Sequence, residues 1–196
     1  MKNLSLAIVL IVAGLLVFLA AMNFQNKFVS LDENVNLAFG NLQSDYQRRS
    51  DLIPNLVNTV KGAADFEKET LEALTSARAR ATSINIDPSN VTADQLQQFQ
   101  EAQSGLSQSL GRLLMVTENY PQLRASDNFK ELQTQLEGTE NRIKVARNKF
   151  NEAVSTYNVG IRRFPASVFA GIFGFDKRAT FQATEGAQNA PEVNFN

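Results

Sequence analysis

The sequence predicts an all-α protein: an N-terminal transmembrane helix followed by an antiparallel four-helix, up-and-down bundle with long helices. Three observations lead there. Leu4 to Met22 is a run of 19 residues without a charge, long enough at about 1.5 Å per residue to span roughly 28 Å, close to a bilayer core. From Phe28 to Phe164 apolar residues recur at three- and four-residue spacing and strand patterns are scarce. Between Asp127 and Arg163, the residues Phe129, Leu136, Ile143, Phe150 and Tyr157 return every seven positions, the period of a helix packed along a partner.

The N-terminal run has two readings. A cleaved signal peptide also has a basic start, here Lys2, and an apolar stretch. This stretch exceeds the ~7–15 residues of a signal core, and Ala20 and Ala21 make a poor cleavage pattern, so an uncleaved anchor is the reading adopted. Lys2 on one side and Lys27 on the other nearly balance the positive-inside count. The expected arrangement is a single pass through the bacterial inner membrane, with a short cytoplasmic N-terminus and the soluble domain on the extracytoplasmic side.

The first soluble helix covers 28–64, with Leu31, Val35, Ala38, Leu42, Ile53, Leu56, Val57 and Val60 as its stripe; it can continue directly from the span. Gly62 and Asp65 read as an end and a new cap. A second helix runs from Phe66 to about Ala81, turning Leu71, Leu74, Ala77 and Ala81 inward. "NIDPSN" is a turn by composition. Thr92 and Gln95 form a capping box for a third helix reaching Val116, striped by Leu96, Phe99, Leu106, Leu110 and Leu113. "ENYPQLRAS" is a connection. Ser126, Asp127 or Asn128 caps the last helix and Pro165 stops it. Its alternate seam positions, Leu132, Thr139, Ala146, Ala153 and Gly160, are mostly small, which lets a neighbouring helix come close. Glu140 and Lys144 are placed for an exposed i,i+4 pair.

The chain therefore divides into an anchor at 1–27, a bundle at 28–164 and a C-terminal apolar segment and tail at 165–196. In up-down-up-down order the last helix returns to the membrane end. There "ASVFAGIFGF" offers Phe169, Ile172, Phe173 and Phe175, either as a flap over the end of the bundle or as a foot contacting membrane lipid. The tail "ATEGAQNAPEVNFN" has little apolar mass.

One stretch resists the stripe. "QRRSDLIPNLVNTVKG", residues 47–62, sets Arg48, Arg49, Asp51 and Pro54 into an apolar-striped helix. Asp45 lies three and four positions before the arginines and can pair with them along one face. Pro54 cannot donate to the Ser50 carbonyl and crowds it. Either the helix kinks at Pro54, with an arginine or Asn55 satisfying that carbonyl, or Ser50 caps a fresh helix; the kink is the reading adopted. The charges of Asp45, Arg48, Arg49, Asp51 and Asn55's neighbourhood either neutralise one another around the kink or form a polar groove for a partner's carboxylate, phosphate or headgroup, which paired arginines suit.

The stretch "QRRSDLIPNLVNTVKGAADFEKETLEALTSARARA" resembles the signature of the LemA family: an arginine pair, D-L-I-P-N-L-V, V-K-G, a glutamate-bearing turn and a helix ending A-R-x-A. "ENYPQLRASDNFKELQTQLEGTENRI" and "FPASVFAGIFGFDKRATFQATEGAQNAPEV" resemble it too, so the likeness covers nearly the whole chain. Family members often carry an aromatic after V-K-G and a histidine before the glutamate; here Ala63 and Phe66 stand there. The resemblance implies a membrane-anchored bacterial helical bundle, with no catalytic residues to carry over. It also gives a link, in some relatives, to membrane organisation or neighbouring membrane proteases.

Composition narrows the function. There is no histidine and no cysteine, which removes the usual base near neutral pH, thiolate chemistry and the commonest metal ligands. Nineteen basic against 20 acidic side chains argue against a nucleic-acid binder, and Arg142, Lys144, Arg147 and Lys149 read as a solvated face. Asp45 and Asp51 are poorly aligned for a metal on a regular helix. The expectation is a non-catalytic scaffold or adaptor docking other membrane proteins, without cofactor. Behind it stand a lipid-binding or membrane-shaping protein and, third, an enzyme of unknown chemistry. Heptad seams can be satisfied within one chain or between copies, so a homo-oligomer stays open.

Overall fold

The computed structural model describes residues 2–62 and 67–182. Among them the regular structure is helical: α1 (Lys2–Lys61), α2 (Lys68–Ser83), α3 (Ala93–Val116), α4 (Pro121–Ala125), α5 (Asp127–Arg162) and α6 (Ala166–Phe173). The tail "ATEGAQNAPEVNFN" and the Asp65 cap lie outside the described residues.

Helix α1 is continuous for 60 residues, roughly 90 Å. It is the one described helix long and apolar enough to cross a membrane, and its apolar window is unburied in the protein. The candidate span thus runs into the packed helices without a break. Phe24 packs against the core, and Phe28, Val35, Phe39 and Leu42 are buried in it.

Helix α1 also passes unbroken through Pro54, which overturns the alternative of a fresh helix capped by Ser50. The Ser50 carbonyl oxygen, denied its helical donor, accepts from Arg78 Nε on α2 at 2.9 Å. The arginine that fills the gap is therefore on a different helix from the one containing the gap.

Helix α5 packs along α1 more extensively than any other pair of elements, and α2 packs on α3. Gly160 lies against Leu31, Phe150 against Phe39, Arg142 against Asp45 and Glu140 against Arg49. One number falls as the other rises, so α5 runs antiparallel to α1. The small seam has a direct reading at Gly160, where a Cβ would stand 2.5 Å from Leu31 Cδ1.

Thr92 caps α3 through the reciprocal bonds with Gln95 expected from the sequence, and Ser126 caps α5. The connection between them is more ordered than a plain loop. A 3-10 turn at Thr117–Asn119 leads into α4, where Pro121 supplies a pre-set φ in the first helical turn.

The core falls into two clusters along the axis. The membrane-distal one joins Ile53, Leu56, Leu74, Leu106, Leu113 and Phe129, drawn from α1, α2, α3 and α5. The proximal one joins Phe28, Phe39, Phe99, Phe150, Val154 and Tyr157, with Ile86 and Phe181 closing its sides. In the proximal half the C-terminal strap 174–182 lies against α5. Asn158 donates to the Arg178 carbonyl and accepts from its N–H, both at 2.9 Å. Asn151 does the same for Phe181, at 3.1 and 2.9 Å. Two asparagines seven apart thus satisfy the backbone of a segment that lies outside the helices.

Candidate functional site

Between the two clusters α1, α3 and α5 carry buried polar residues: Arg49 and Ser50 on α1, Gln103 on α3 and Thr139 on α5. Arg49 is 1% exposed. One terminal nitrogen donates to Ser107 Oγ at 2.7 Å and Glu140 Oε2 at 2.9 Å; the other donates to the carbonyl and Oε1 of Gln103 at 3.2 and 2.6 Å. Its guanidinium also sits 5.2 Å over the Tyr46 ring. A planar fork with fixed donors suits this arrangement; a lysine ammonium cannot reach three helices at once. Gln103 Nε2 in turn donates to the Ala81 carbonyl of α2 at 3.4 Å. The side chain therefore joins α1, α3 and α5 directly, and α2 through Gln103.

The expected pairing of Asp45 with the neighbouring arginines is not what forms. Asp45 meets Arg142 of α5 at 3.5 Å. Glu140 bonds Arg49 rather than Lys144. Interhelical partners win because Arg49 is shut away from water, and a carboxylate is worth more there than on an exposed face. Arg147 likewise leaves the solvated face: its guanidinium covers the Phe181 ring at 5.1 Å.

Arg48, Asp51 and Asn55 point to the other side of α1. They line an open polar groove of about 890 Å³ with Gly40, Gln43, Gln47, Asn85 and Gln135. Gln47 Nε2 donates to Asp51 Oδ1 at 2.7 Å, and Gln43 Nε2 to the Ile86 carbonyl at 3.0 Å. The five-residue cluster read from the sequence thus separates. Arg48, Asp51 and Asn55 share the groove, Arg49 is enclosed behind it, and Asp45 faces α5. Among the described residues no group of acidic side chains could hold a metal ion.

At the membrane end α6 folds back under the bundle. Phe169 stacks on Phe24 with centroids 5.0 Å apart and on Phe173 at 6.5 Å; Phe175 meets Phe28 edge-on at 5.3 Å. Three of the four expected membrane contacts, Phe169, Phe173 and Phe175, are half-buried in the protein. Ile172 alone is exposed. Gly174, in the left-handed region at φ 73°, ends α6 and turns the chain into the strap.

Sequence reading missed Gln103, Ser107, Glu140, Arg78 and the Asn151–Asn158 clamp. One signal was present: Gln103 falls on the apolar stripe of α3 between Phe99 and Leu106. For Arg78, which lies on the other partner helix, no local pattern points to Ser50.

An all-helical protein with a helix fit to cross the bilayer and continuous with its core is a membrane-associated helical protein. More narrowly, the chain belongs to the LemA family, whose model matches residues 38–195. It is 28% identical over 205 residues to magnetosome protein MamQ 2 of Paramagnetospirillum magneticum, covering 94% of this chain and 74% of that protein. It is 27% identical over 187 residues to magnetosome protein MamQ of Magnetospirillum gryphiswaldense, covering 86% and 68%. It is 24% identical over 161 residues to protein LemA of Metamycoplasma hominis, covering 82% and 70%. The family resemblance read from the sequence holds.

Proposed function

We propose that the protein is a non-catalytic, single-pass membrane scaffold: an anchor at 1–27, an antiparallel four-helix bundle at 28–164 and a C-terminal segment at 165–196. It docks other membrane proteins through the groove lined by Arg48, Asp51 and Asn55. The supporting observation is the continuity of α1, which carries both the span and the groove. Arg48 stands 26 residues beyond Met22, so a rigid helix holds the groove roughly 40 Å from the edge of the span. Arg49 and Asp45 stiffen α1 behind it. The soluble part faces the extracytoplasmic side, and relatives named as magnetosome proteins are consistent with a role in organising membrane components.

The test is site-specific photocrosslinking in intact cells. A crosslinker at Gln47 should capture membrane proteins, and Arg48→Glu should abolish those adducts. The same crosslinker at Lys149, away from the groove, should not give them. Identical adducts from both positions, or none from Gln47, defeat the docking reading.

A second reading, a lipid-contacting role for the C-terminal segment, is favoured by the stacking of Phe169 on Phe24, two residues past Met22.

A further inference from the structure

We propose that α6 and the chain around it form a foot that inserts apolar side chains into an anionic bilayer surface, while a basic collar meets the lipid phosphates. The proposal rests on the second reading above and changes its residues. The phenylalanines first suspected face inward. Outward, at four-residue spacing, stand Phe164, Val168 and Ile172, exposed by 85, 54 and 69%. Val168 and Ile172 lie on one face of α6, and Phe164 stands just before the helix.

The height of this row identifies what covers it. Phe169 packs on Phe24, whose Cα is about 3 Å beyond Met22 along the helix. That level is the headgroup zone, immediately above the span's own lipid-exposed surface. The apolar row is thus continuous with the face that lipid already covers.

Charge points the same way. Lys27 follows Phe24 by three residues; Arg162 and Arg163 immediately precede Phe164; Lys177 follows Phe175, which touches Phe28. All four are exposed, and none makes an ion pair among the described residues. The fifth cation there, Arg178, is held by Asp32 at 2.8 Å. Among the described residues Glu33 and Asp176 are the remaining carboxylates of this band, so cations stay in excess there. Arg162 is two residues past Gly160, which abuts Leu31; this puts the collar about 10 Å above Met22, within one Debye length of the surface. Apolar side chains flanked by arginine and lysine are the pattern of an interfacial segment, and each cation strengthens attachment to an anionic leaflet.

The protein has no tryptophan, so a single introduced indole reports depth. Full-length Ile172→Trp and Val168→Trp proteins are reconstituted in phosphatidylcholine vesicles, with or without an equal part of phosphatidylglycerol, carrying lipids brominated near the top of the acyl chain. Both should be quenched, and Met115→Trp, exposed at the distal end, should not. Phosphatidylglycerol should raise quenching roughly two- to threefold, and changing Lys27, Arg162, Arg163 and Lys177 to Gln should remove that increase. Circular dichroism confirms that each variant is folded. Quenching at Ile172 no greater than at Met115 in either vesicle overturns the foot and the reading beneath it. Quenching that ignores phosphatidylglycerol and the Gln changes overturns the collar and leaves the lipid-contacting reading standing.

Discussion

Arg49 and Arg48 are adjacent, identical and opposite in fate. Arg49 is enclosed, and its two terminal nitrogens are held by Ser107, Gln103 and Glu140 while its buried Nε is left without a hydrogen bond; Arg48 is exposed on the groove. Replacing Arg49 by Lys should therefore lower stability by about 2–3 kcal/mol, since charged hydrogen bonds in a buried site are lost. Glu140→Gln should lose less, about 1–2 kcal/mol, because Glu140 is 56% exposed and water screens the pair. Arg48→Gln should stay within about 0.5 kcal/mol. Chemical unfolding of the full chain in detergent, followed by circular dichroism, orders the three; an Arg48 change as costly as the Arg49 change would refute the division. Burial also raises the Tyr46 hydroxyl above its usual pKa, with Glu140 acting in the same direction and Arg147 and Arg49 opposing. An unfolded tyrosine ionises near about 10, whereas the folded one stays neutral to higher pH. Its contribution is thus constant below that pH and is lost as pH rises through the raised value. Tyr46→Phe should flatten the fall of the unfolding midpoint above that pH, and an unchanged slope would count against a buried Tyr46 hydroxyl.

At the scale of elements, the α1–α5 seam and the strap are held by different means. The seam closes where a side chain is missing. Gly160→Ala brings a Cβ onto Leu31 Cδ1, the movable tip of a side chain, while gaining about 1 kcal/mol of helix propensity; its net effect should stay within about 1 kcal/mol. Gly160→Val adds branches that Leu31 cannot clear, and should destabilise by about 2–3 kcal/mol. Thermal unfolding of the pair checks this, and a valine variant as stable as the alanine one would show that the seam is loose. The strap depends on Asn151 and Asn158 instead. Asn158→Ala should leave the helices formed and raise hydrogen exchange at the Arg178 amide by about tenfold, in line with one lost buried hydrogen bond of about 1–1.5 kcal/mol. Unchanged exchange would mean that the bonds of Arg178 to Asp32, Pro88 and Ser89 and of Tyr157 to the Asp176 carbonyl hold the strap without Asn158.

At the scale of the whole molecule, one uninterrupted helix sets the height of everything else. Lys61 ends α1 39 residues past Met22, so the far end of the bundle stands roughly 60 Å from the span's edge if α1 is upright. Neutron reflectometry on a supported bilayer holding the full chain should find a protein layer of about that thickness, shortened only by tilt. A layer near half that thickness would mean that the bundle lies down on the membrane. Along so long a helix the apolar core divides into two clusters, and the polar layer at Arg49 lies between them.

The sequence by itself determined the helices, the candidate span and the Thr92 capping box, and it narrowed the cap of α5 to three neighbouring residues, because each is set by residues near one another along the chain. It also carried the α5 seam, whose buried Phe129, Leu136, Ile143, Phe150 and Tyr157 repeat at a period a reader can count. Only the tertiary structure decided which of two neighbouring arginines goes inside. It likewise decided that Arg78 serves the Ser50 carbonyl and that α6 turns its phenylalanines inward and Ile172 out. The first two outcomes depend on groups 28 to 91 positions apart along the chain, the third on α6 meeting the start of α1 from still farther away, and the local pattern is the same whichever partner arrives. Burial sorted them: a charge or a carbonyl shut from water takes the partner that reaches it, and reach is a property of the packed helices.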